Sequence, residues 1–407
     1  MRIVPFIIKS AREAKAAMQD IGVDSQGIKI MSPKALHCCF KLEDISSFSA
    51  NIIKQELLSL GSDAAIDRRA LIKRIKTTAI LFGSLYQMKR LAVKLKYQPF
   101  ELKEVAYKLE ELLGNIQKKR VLFKARGKVL NFNRPVVCGI INVTPDSFSG
   151  DGLLKGQSVD SYKFKEAVVK KAENMIKGGA KIIDVGGESS RPYSKRISEK
   201  EELRRVLPVI KILKKRFPRI LISVDTYKYR VAKEAVGAGA DIVNDITALR
   251  HSPSIASLIK RHKLGCVLMH MKGVPKTMQL NPHYKRGVVE EVFDFLNKRL
   301  EFCLKKGISR EQIMIDPGIG FGKTVEDNYR LLNKLDIFRS LGVPVFLGVS
   351  RKSFIGKVLK ADTNRRLYGT ISALSVGYLK GADVLRVHDV VEAYEALKIA
   401  YLIKKVN

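Results

Sequence analysis

The stretch "IMIDPGIGFGKT" at residues 313–324 places three glycines and a lysine directly after a short apolar run. A Walker A loop needs a glycine five positions before its Gly-Lys pair, and Pro317 occupies that position. A dinucleotide fingerprint needs a glycine three positions after its second glycine, and Lys323 stands there instead. What remains is a buried strand that ends in Asp316 and a glycine-rich turn. Folds of the α/β class place ligands at such strand ends.

Seven further apolar runs of the same kind occupy the last two-thirds of the chain, and amphipathic helical stretches separate them. Nearly continuous apolar runs are typical of strands that are buried on both faces. Eight strand–helix units in about 270 residues predict a (β/α)8 barrel, or TIM barrel, in preference to a doubly wound open sheet. The eight runs are 136–143, 181–187, 221–226, 241–247, 265–270, 313–318, 343–350 and 383–389.

Two segments precede the first of these runs. The stretch "VLFKARGKVLNF" at 121–132 predicts a β-hairpin with its turn at Arg126-Gly127, placed to plug the N-terminal end of the barrel. Residues 1–118 mix a strand-like piece, "MRIVPFIIKS", with helical ones such as "LKEVAYKLEELLGNI". We therefore expect a smaller N-terminal domain of mixed α and β structure and unknown role at 1–118, and the barrel domain at 119–407.

The chain is strongly basic. Its 407 residues carry a formal net charge of +35, which attracts anions such as nucleic acid, membrane surfaces or phosphorylated substrates. The lysines and arginines are spread along the chain without a long basic tract, which favours a generally basic surface over a nucleic-acid partner. A nucleic-acid-binding module formed by the N-terminal domain is the non-enzymatic alternative. It predicts salt-dependent binding that survives deletion of residues 120–407.

The cysteines and the apolar runs indicate the compartment. The chain has five cysteines, an odd number, and none forms a C-x-x-C pair, which argues against a disulfide scaffold and a zinc site. No apolar run reaches the ~18 residues of a membrane span. The N-terminal "MRIVPFII" lacks the features of a signal peptide. We expect a cytoplasmic protein with no membrane partner.

Polar or charged side chains follow all eight apolar runs and fall into two chemical groups. Carboxylate, amide and ammonium groups can together recognise the hydrogen-bonding edge of a flat heterocycle. The members of this first group are Asp225, Asn244, Asp316 and Lys352. The second group suits an anion, and its amide oxygen can ligate a hard metal ion. Its members are Asn142, Arg191, Arg386 and His388. The two groups together suggest group transfer from a diphosphate ester.

Eight motifs in the barrel region resemble, in the same order, those of the dihydropteroate synthase family. They are "INVTPDSFSGDG" (141–152), "IIDVGGESSRP" (182–192), "SVDT" (223–226), "VNDI" (243–246), "MHMKGVPKTMQ" (269–279), "DPGIGFGK" (316–323), "GVSRKSFIG" (348–356) and "LRVHD" (385–389). The resemblance implies a transferase of folate biosynthesis with a (β/α)8 barrel, Mg²⁺ as cofactor and a homodimeric assembly. Such an enzyme joins 6-hydroxymethyl-7,8-dihydropterin diphosphate to p-aminobenzoate, giving 7,8-dihydropteroate and diphosphate.

The same resemblance implies a role for each matching residue. The first chemical group would hold the dihydropterin, with Met269 and Phe321 as further substrate-binding residues. Asn142 would bind Mg²⁺ together with the diphosphate that Arg386 and His388 hold. Ser353, at a helix start, would receive the carboxylate of p-aminobenzoate. Two mobile loops would complete that pocket through Phe148, Ser190, Arg191 and Pro192. The catalytic residues implied are Asp225, Lys352, Arg386 and His388.

The two loops that serve the second substrate depart from the family pattern. Residues 150–152 read Gly-Asp-Gly where Asp-Gly-Gly is usual, and residues 189–193 read Ser-Ser-Arg-Pro-Tyr where Ser-Thr-Arg-Pro-Gly is usual. Ile319 also stands where phenylalanine is common. Two alternatives therefore stay open. One is a related pterin synthase of a methanopterin-type pathway that uses another arylamine, and the other is a pterin-dependent methyltransferase.

Overall fold

The computed structural model of the chain describes residues 1–8, 10–117, 122–144, 159, 161–189, 194 and 196–406. The chain divides into two compact units, Met1–Lys119 and Arg120–Val406. Among the described residues, no helix combines the length and the apolar character needed to cross a membrane.

The N-terminal unit contains a three-stranded antiparallel sheet with the strand order β1-β3-β2. Along β3 exposed and buried residues alternate, and the buried ones, such as Leu81, pack with Met88 and Leu91 of α4. The elements are α1 Ala11–Asp20, α2 Ser25–Met31, β1 His37–Ser46, α3 Ser47–Ser59, β2 Asp63–Ile66, β3 Lys76–Ser84, α4 Leu85–Leu95 and α5 Leu102–Gln117. The prediction of a strand at the N-terminus is wrong. Residues 1–8 form no helix or strand, no described strand pairs with them, and most of their apolar side chains are exposed.

The second unit contains a sheet of eight parallel strands in the order β11-β10-β9-β8-β7-β6-β13-β12. A parallel bridge between Ile315 of β11 and Val345, just before β12, closes the sheet, so the (β/α)8 prediction is confirmed. The strands are β6 Val136–Asn142, β7 Ala180–Gly186, β8 Leu221–Asp225, β9 Ile242–Asp245, β10 Gly265–Met269, β11 Ile313–Asp316, β12 Phe346–Gly348 and β13 Val384–Val387.

Helices follow the barrel strands and pack around them. Their inward faces bury apolar side chains against the strands, as in α7, where Val206, Val209 and Ile210 are fully buried. The helices are α6 Tyr162–Lys177, α7 Glu199–Arg216, α8 Tyr229–Gly237, α9 Ile255–His262, α10 Val288–Lys305, α11 Val325–Asn333, α12 Ser353–Leu359, α13 Leu367–Leu379 and α14 Val390–Lys405.

A hairpin of β4 (Phe123–Ala125) and β5 (Lys128–Leu130) closes the N-terminal end of the barrel, as the sequence predicts. Its turn residues Arg126 and Gly127 both have positive φ angles, 51° and 79°, as a two-residue type I′ turn requires. Phe123 is fully buried among side chains from the strand starts. A Cβ atom added to Gly265 would lie 2.2 Å from the Phe123 ring, so only glycine fits there. Ligands therefore approach the barrel from the opposite end.

Candidate active site

A cavity of about 360 Å³ lies at the C-terminal ends of the barrel strands, and residues from the ends of all eight strands or from the loops after them line it. The structure brings together ten of the residues that the sequence singled out. These ten are Asn142, Asp225, Asn244, Met269, Asp316, Phe321, Lys352, Ser353, Arg386 and His388. The other four, Phe148, Ser190, Arg191 and Pro192, lie outside the described residues.

At the base of the cavity, hydrogen bonds and ion pairs connect the residues predicted to bind the heterocycle with Arg386, which was predicted to bind the anion. Arg386 donates from Nε to Asp184 Oδ2 at 2.6 Å and from Nη2 to Asp225 Oδ2 at 3.0 Å. Asn244 Nδ2 donates to the same Asp184 oxygen at 3.1 Å. The guanidinium of Arg386 therefore contacts Asp225, one of the residues predicted to bind the heterocycle.

Asp184 is a site residue that sequence reasoning missed. It lies inside β7, two residues before the strand end, and is fully buried. Its second carboxylate oxygen, Oδ1, is buried without a hydrogen-bond partner in the structure. A charged residue within the apolar run "KIIDVGG" was the available signal, since a buried carboxylate needs a partner.

Burial shifts the pKa values of three side chains in the cavity in the direction that favours their neutral forms. It raises the pKa of Asp225 to about 7, with Asp184 adding to the rise and Arg386 opposing it. It also raises the pKa of Asp316, against the opposing charge of Lys352. Burial lowers the pKa of Lys352 to about 8, although Asp316 acts in the other direction. Near neutral pH Asp225 can therefore donate or accept a proton, and Lys352 loses its charge only above about pH 8.

The glycine-rich loop after β11 is a tight turn and not a phosphate cradle. Gly318, Gly320 and Gly322 all have positive φ angles, and a Cβ atom on Gly318 would lie 1.9 Å from the His270 carbonyl oxygen. The backbone N–H of Gly318 donates to Asp316 Oδ1 at 2.7 Å, which fixes that carboxylate in the cavity.

The same loop positions Lys352. The Lys352 ammonium donates to the carbonyl oxygen of Ile319 and lies 4.6 Å from the centroid of the Phe321 ring. A cation over an aromatic face is an attractive contact. The loop therefore sets both a wall of the cavity and the ammonium that points into it.

A second set of contacts ties the ends of β12 and β13 together. The ring Nδ1 of His388 lies 3.0 Å from Ser350 Oγ, which also accepts the His388 backbone N–H at 3.2 Å. Arg351 pairs with Asp389 through an Nε–Oδ2 contact of 3.0 Å. Ser353, the first residue of α12, is exposed at the cavity rim.

Asn142 was predicted to bind Mg²⁺, and the surrounding donors show what kind of ion could fit. No group of three or more histidine, cysteine, aspartate or glutamate side chains in the described ranges could hold a metal ion. Asn142 is half-buried at the end of β6 and lines the cavity. One amide oxygen fits Mg²⁺ that keeps most of its ligands as water and phosphate oxygens. The residues therefore fit an ion that arrives with a diphosphate rather than a resident metal centre.

Comparisons with known proteins agree with this geometry. The sequence pattern of the family described as "Pterin binding enzyme" matches residues 138–388. Dihydropteroate synthase of Haemophilus influenzae is 43% identical over 275 residues, covering 68% of this chain and 96% of the relative. The chain belongs to the dihydropteroate synthase family. The Xanthomonas albilineans dihydropteroate synthase, solved with 4-aminobenzoic acid, superposes with a TM-score of 0.64 at 38% identity, covering 71% of this chain and all of that one.

One relative also matches the N-terminal unit. A protein of Halobacterium salinarum, described as a probable bifunctional folylpolyglutamate synthase/dihydropteroate synthase, is 36% identical over 393 residues. The match covers 97% of this chain and 46% of that protein. The N-terminal unit is therefore shared with another dihydropteroate synthase chain, although no residue in it carries a chemical motif.

Proposed function

We propose that this chain acts as a dihydropteroate synthase, joining 6-hydroxymethyl-7,8-dihydropterin diphosphate to p-aminobenzoate and releasing diphosphate. The observation that carries the proposal is the meeting of four side chains in one cavity, although they come from four different strand ends. They are Asp225, Asn244, Asp316 and Lys352. These residues are separated by up to 127 positions in the chain, and they meet only because the barrel is closed.

The pterin is proposed to bind through its hydrogen-bonding edge. Asp316 and Asp225 offer carboxylate oxygens to the amino and ring N–H groups, and Asn244 can both donate and accept. Lys352 donates to the ring carbonyl or a ring nitrogen. Phe321 and Met269 supply the apolar walls against the flat ring.

The proposed reaction begins with the bond between the pterin methylene carbon and the diphosphate oxygen. That bond breaks with both electrons leaving on diphosphate, and the pterin ring delocalises the positive charge of the methylene. The arylamine nitrogen then attacks this carbon and loses a proton. Asp225, when ionised, stabilises the cationic pterin, so no strong base is needed to activate the amine.

Arg386 and His388 are proposed to receive the departing diphosphate. Both line the cavity on β13 and its end, and Arg386 is also anchored by Asp184, which keeps it in place during the reaction. When bound with the diphosphate and held by Asn142, Mg²⁺ would supply further neutralisation of the leaving group.

The second substrate is proposed to be p-aminobenzoate, with its carboxylate at Ser353 and its ring between Phe148, Ser190, Arg191 and Pro192. The 4-aminobenzoic acid in the Xanthomonas albilineans protein supports this choice. The departures at 150–152 and 189–193 leave another arylamine of a methanopterin-type pathway as the alternative.

Assembly and compartment complete the proposal. Apolar side chains on α13 and α14 are exposed, including Leu379, Ile399 and Ile403 at 43%, 60% and 54%, which supports a homodimer through this surface. All five cysteines are free in the structure, which is consistent with a reducing cytoplasm.

A diphosphate-release assay tests the function. The purified chain receives the pterin diphosphate, Mg²⁺ and several arylamines in parallel, and we expect fastest release with p-aminobenzoate. Faster release with a different arylamine would support the methanopterin-type alternative. Methyl transfer from a methylated pterin without diphosphate release would support the methyltransferase and contradict the synthase.

A further inference from the structure

Outside the cavity, a buried lysine joins three separate parts of the barrel. Lys228 follows β8, and its side chain is only 9% exposed. Its ammonium donates to Glu188 Oε2 after β7, to Glu202 Oε2 in the first turn of α7 at 2.6 Å, and to the Ile197 carbonyl oxygen at 2.8 Å. An ammonium has three protons, so these three acceptors use all of its donor capacity.

The partners of Lys228 are themselves held in place. Glu188 lines the cavity, and its other oxygen accepts the Tyr227 hydroxyl at 3.1 Å. The Gly187 carbonyl oxygen accepts from Arg205 Nη1 of α7 at 2.9 Å. A Cβ on Gly187 would lie 2.8 Å from the Val206 side chain, so this strand end fits closely against α7.

These contacts fall on both ends of one segment. Glu188 immediately precedes residues 189–196, and Ile197 immediately follows them. The segment carries Ser190, Arg191 and Pro192, which the proposed function assigns to the arylamine pocket. The Lys228 ammonium therefore contacts the residues on both sides of segment 189–196 and also α7.

We propose that Lys228 is a positioning residue for the second substrate, because it ties Glu188 and Ile197, which flank residues 189–196, to α7. Lys228 is not among the residues that line the cavity, so we assign it a positioning role and not a catalytic one. The proposal rests on the proposed function for the identity of the substrate, but the tie itself can be measured without any reaction.

Substitution of the donor tests the role. Lys228→Met keeps the length of the side chain and removes all three hydrogen bonds. We expect the KM for p-aminobenzoate to rise about tenfold or more, with a smaller change in kcat and an unchanged KM for the pterin diphosphate. Lys233→Met, an exposed lysine of α8, is the matched control and should change neither KM.

Two further measurements separate positioning from loss of fold. Lys228→Met leaves Glu188 and Glu202 without their cation, so Lys228→Met/Glu202→Gln removes one uncompensated carboxylate. If the double variant regains thermal stability but keeps the raised KM for the arylamine, the loss of the Lys228 hydrogen bonds is the cause of that rise. If the KM returns to normal with stability, or if both substrates' KM values rise equally, the positioning role is overturned.

Limited trypsin digestion gives a readout that is independent of activity. Trypsin can cut after Lys195 and Arg196, at the end of the segment, but not after Arg191, because proline follows it. We expect Lys228→Met, in its folded state, to be cut there at least several-fold faster than the unaltered chain and than Lys233→Met. Equal cutting rates would contradict the tie. An unaltered chain that releases no diphosphate with any arylamine would instead contradict the proposed function and leave this measurement valid.

Discussion

At the residue scale, Asp316 is a buried carboxylate that the loop after β11 holds in the cavity. It is 5% exposed and accepts the Gly318 N–H. We predict that Asp316→Asn weakens pterin binding by about 10- to 100-fold, because a charged hydrogen bond of ~1.5–3 kcal/mol is lost. Titration calorimetry with a dihydropterin that lacks the diphosphate measures this.

Asp327 provides the matched control for Asp316. It is also a buried aspartate, but it belongs to the capping box of α11 with Thr324. Asp327→Asn should leave pterin affinity unchanged and lower the melting temperature. Equal loss of affinity in the two variants would mean that Asp316 acts on the fold and not on the ligand.

The pKa values of Asp225 and Lys352 predict a bell-shaped dependence of kcat/KM on pH. Below about pH 7 Asp225 is protonated and cannot stabilise a cation, and above about pH 8 Lys352 loses its charge. We therefore expect kcat/KM to be highest between the two values and the acid limb to disappear in Asp225→Asn. A rate that does not change across the neutral range would contradict this assignment.

Asp225 also has a consequence for stability whose sign can be worked out. In the folded chain it keeps its proton up to about pH 7, whereas its ordinary pKa is 3.8. Between these values the folded state binds the extra proton, so stability falls as pH rises through this window. Urea unfolding at several pH values should show a shallower fall in Asp225→Asn than in the unaltered chain.

The sequence was informative where a residue stands at a strand end. The rule that α/β barrels use their C-terminal strand ends found Asp225, Asn244 and Asp316 without a structure. It could not find Asp184, which lies within a strand, or Lys228, whose partners come from two other elements. Such contacts depend on how neighbouring strands and helices are packed, and periodicity carries no information about that.

At the scale of elements, the loop after β11 depends on glycine at one position above all. Gly318→Ala would force a side chain into positive φ and into the His270 carbonyl. We predict a loss of more than about 2 kcal/mol of unfolding free energy, together with weaker pterin binding. Denaturant unfolding and calorimetry measure the two effects.

Gly237 gives the control for that substitution. It is the last residue of α8, and a Cβ atom there would meet nothing within 4 Å. Gly237→Ala should leave stability unchanged or raise it by up to about 1 kcal/mol. Similar destabilisation by both alanines would show that close packing at Gly318 is not the cause.

Elements were predictable to different degrees. All eight barrel strands and the Arg126-Gly127 hairpin follow from apolar runs and turn residues. The apolar stretch at residues 1–8 satisfied the same rule and forms no strand. A strand needs a neighbour to accept its backbone hydrogen bonds, and a local pattern cannot show whether that neighbour exists.

At the scale of the whole molecule, the exposed apolar surface of α13 and α14 predicts a dimer. Light scattering after gel filtration should give twice the chain mass of 45.6 kDa. The variant Ile399→Glu/Ile403→Glu should be monomeric, because charges would be buried without partners in the interface. Ile80→Glu, at an exposed position of β3 in the N-terminal unit, is the control and should remain dimeric. A monomeric unaltered chain would contradict the prediction.

The way the barrel closes has an effect on ligand binding. Neighbouring strands such as β10 and β11 pair through four successive residues, but β11 and β12 meet through the bridge from Ile315 to Val345. Asp316 stands on one side of that seam and Lys352 on the other. If a pterin binds to both side chains as proposed, it connects β11 and β12 where their backbone pairing is weakest. On that proposal, pterin binding and barrel stability are thermodynamically linked, and the bound heterocycle would stabilise the protein that recognises it.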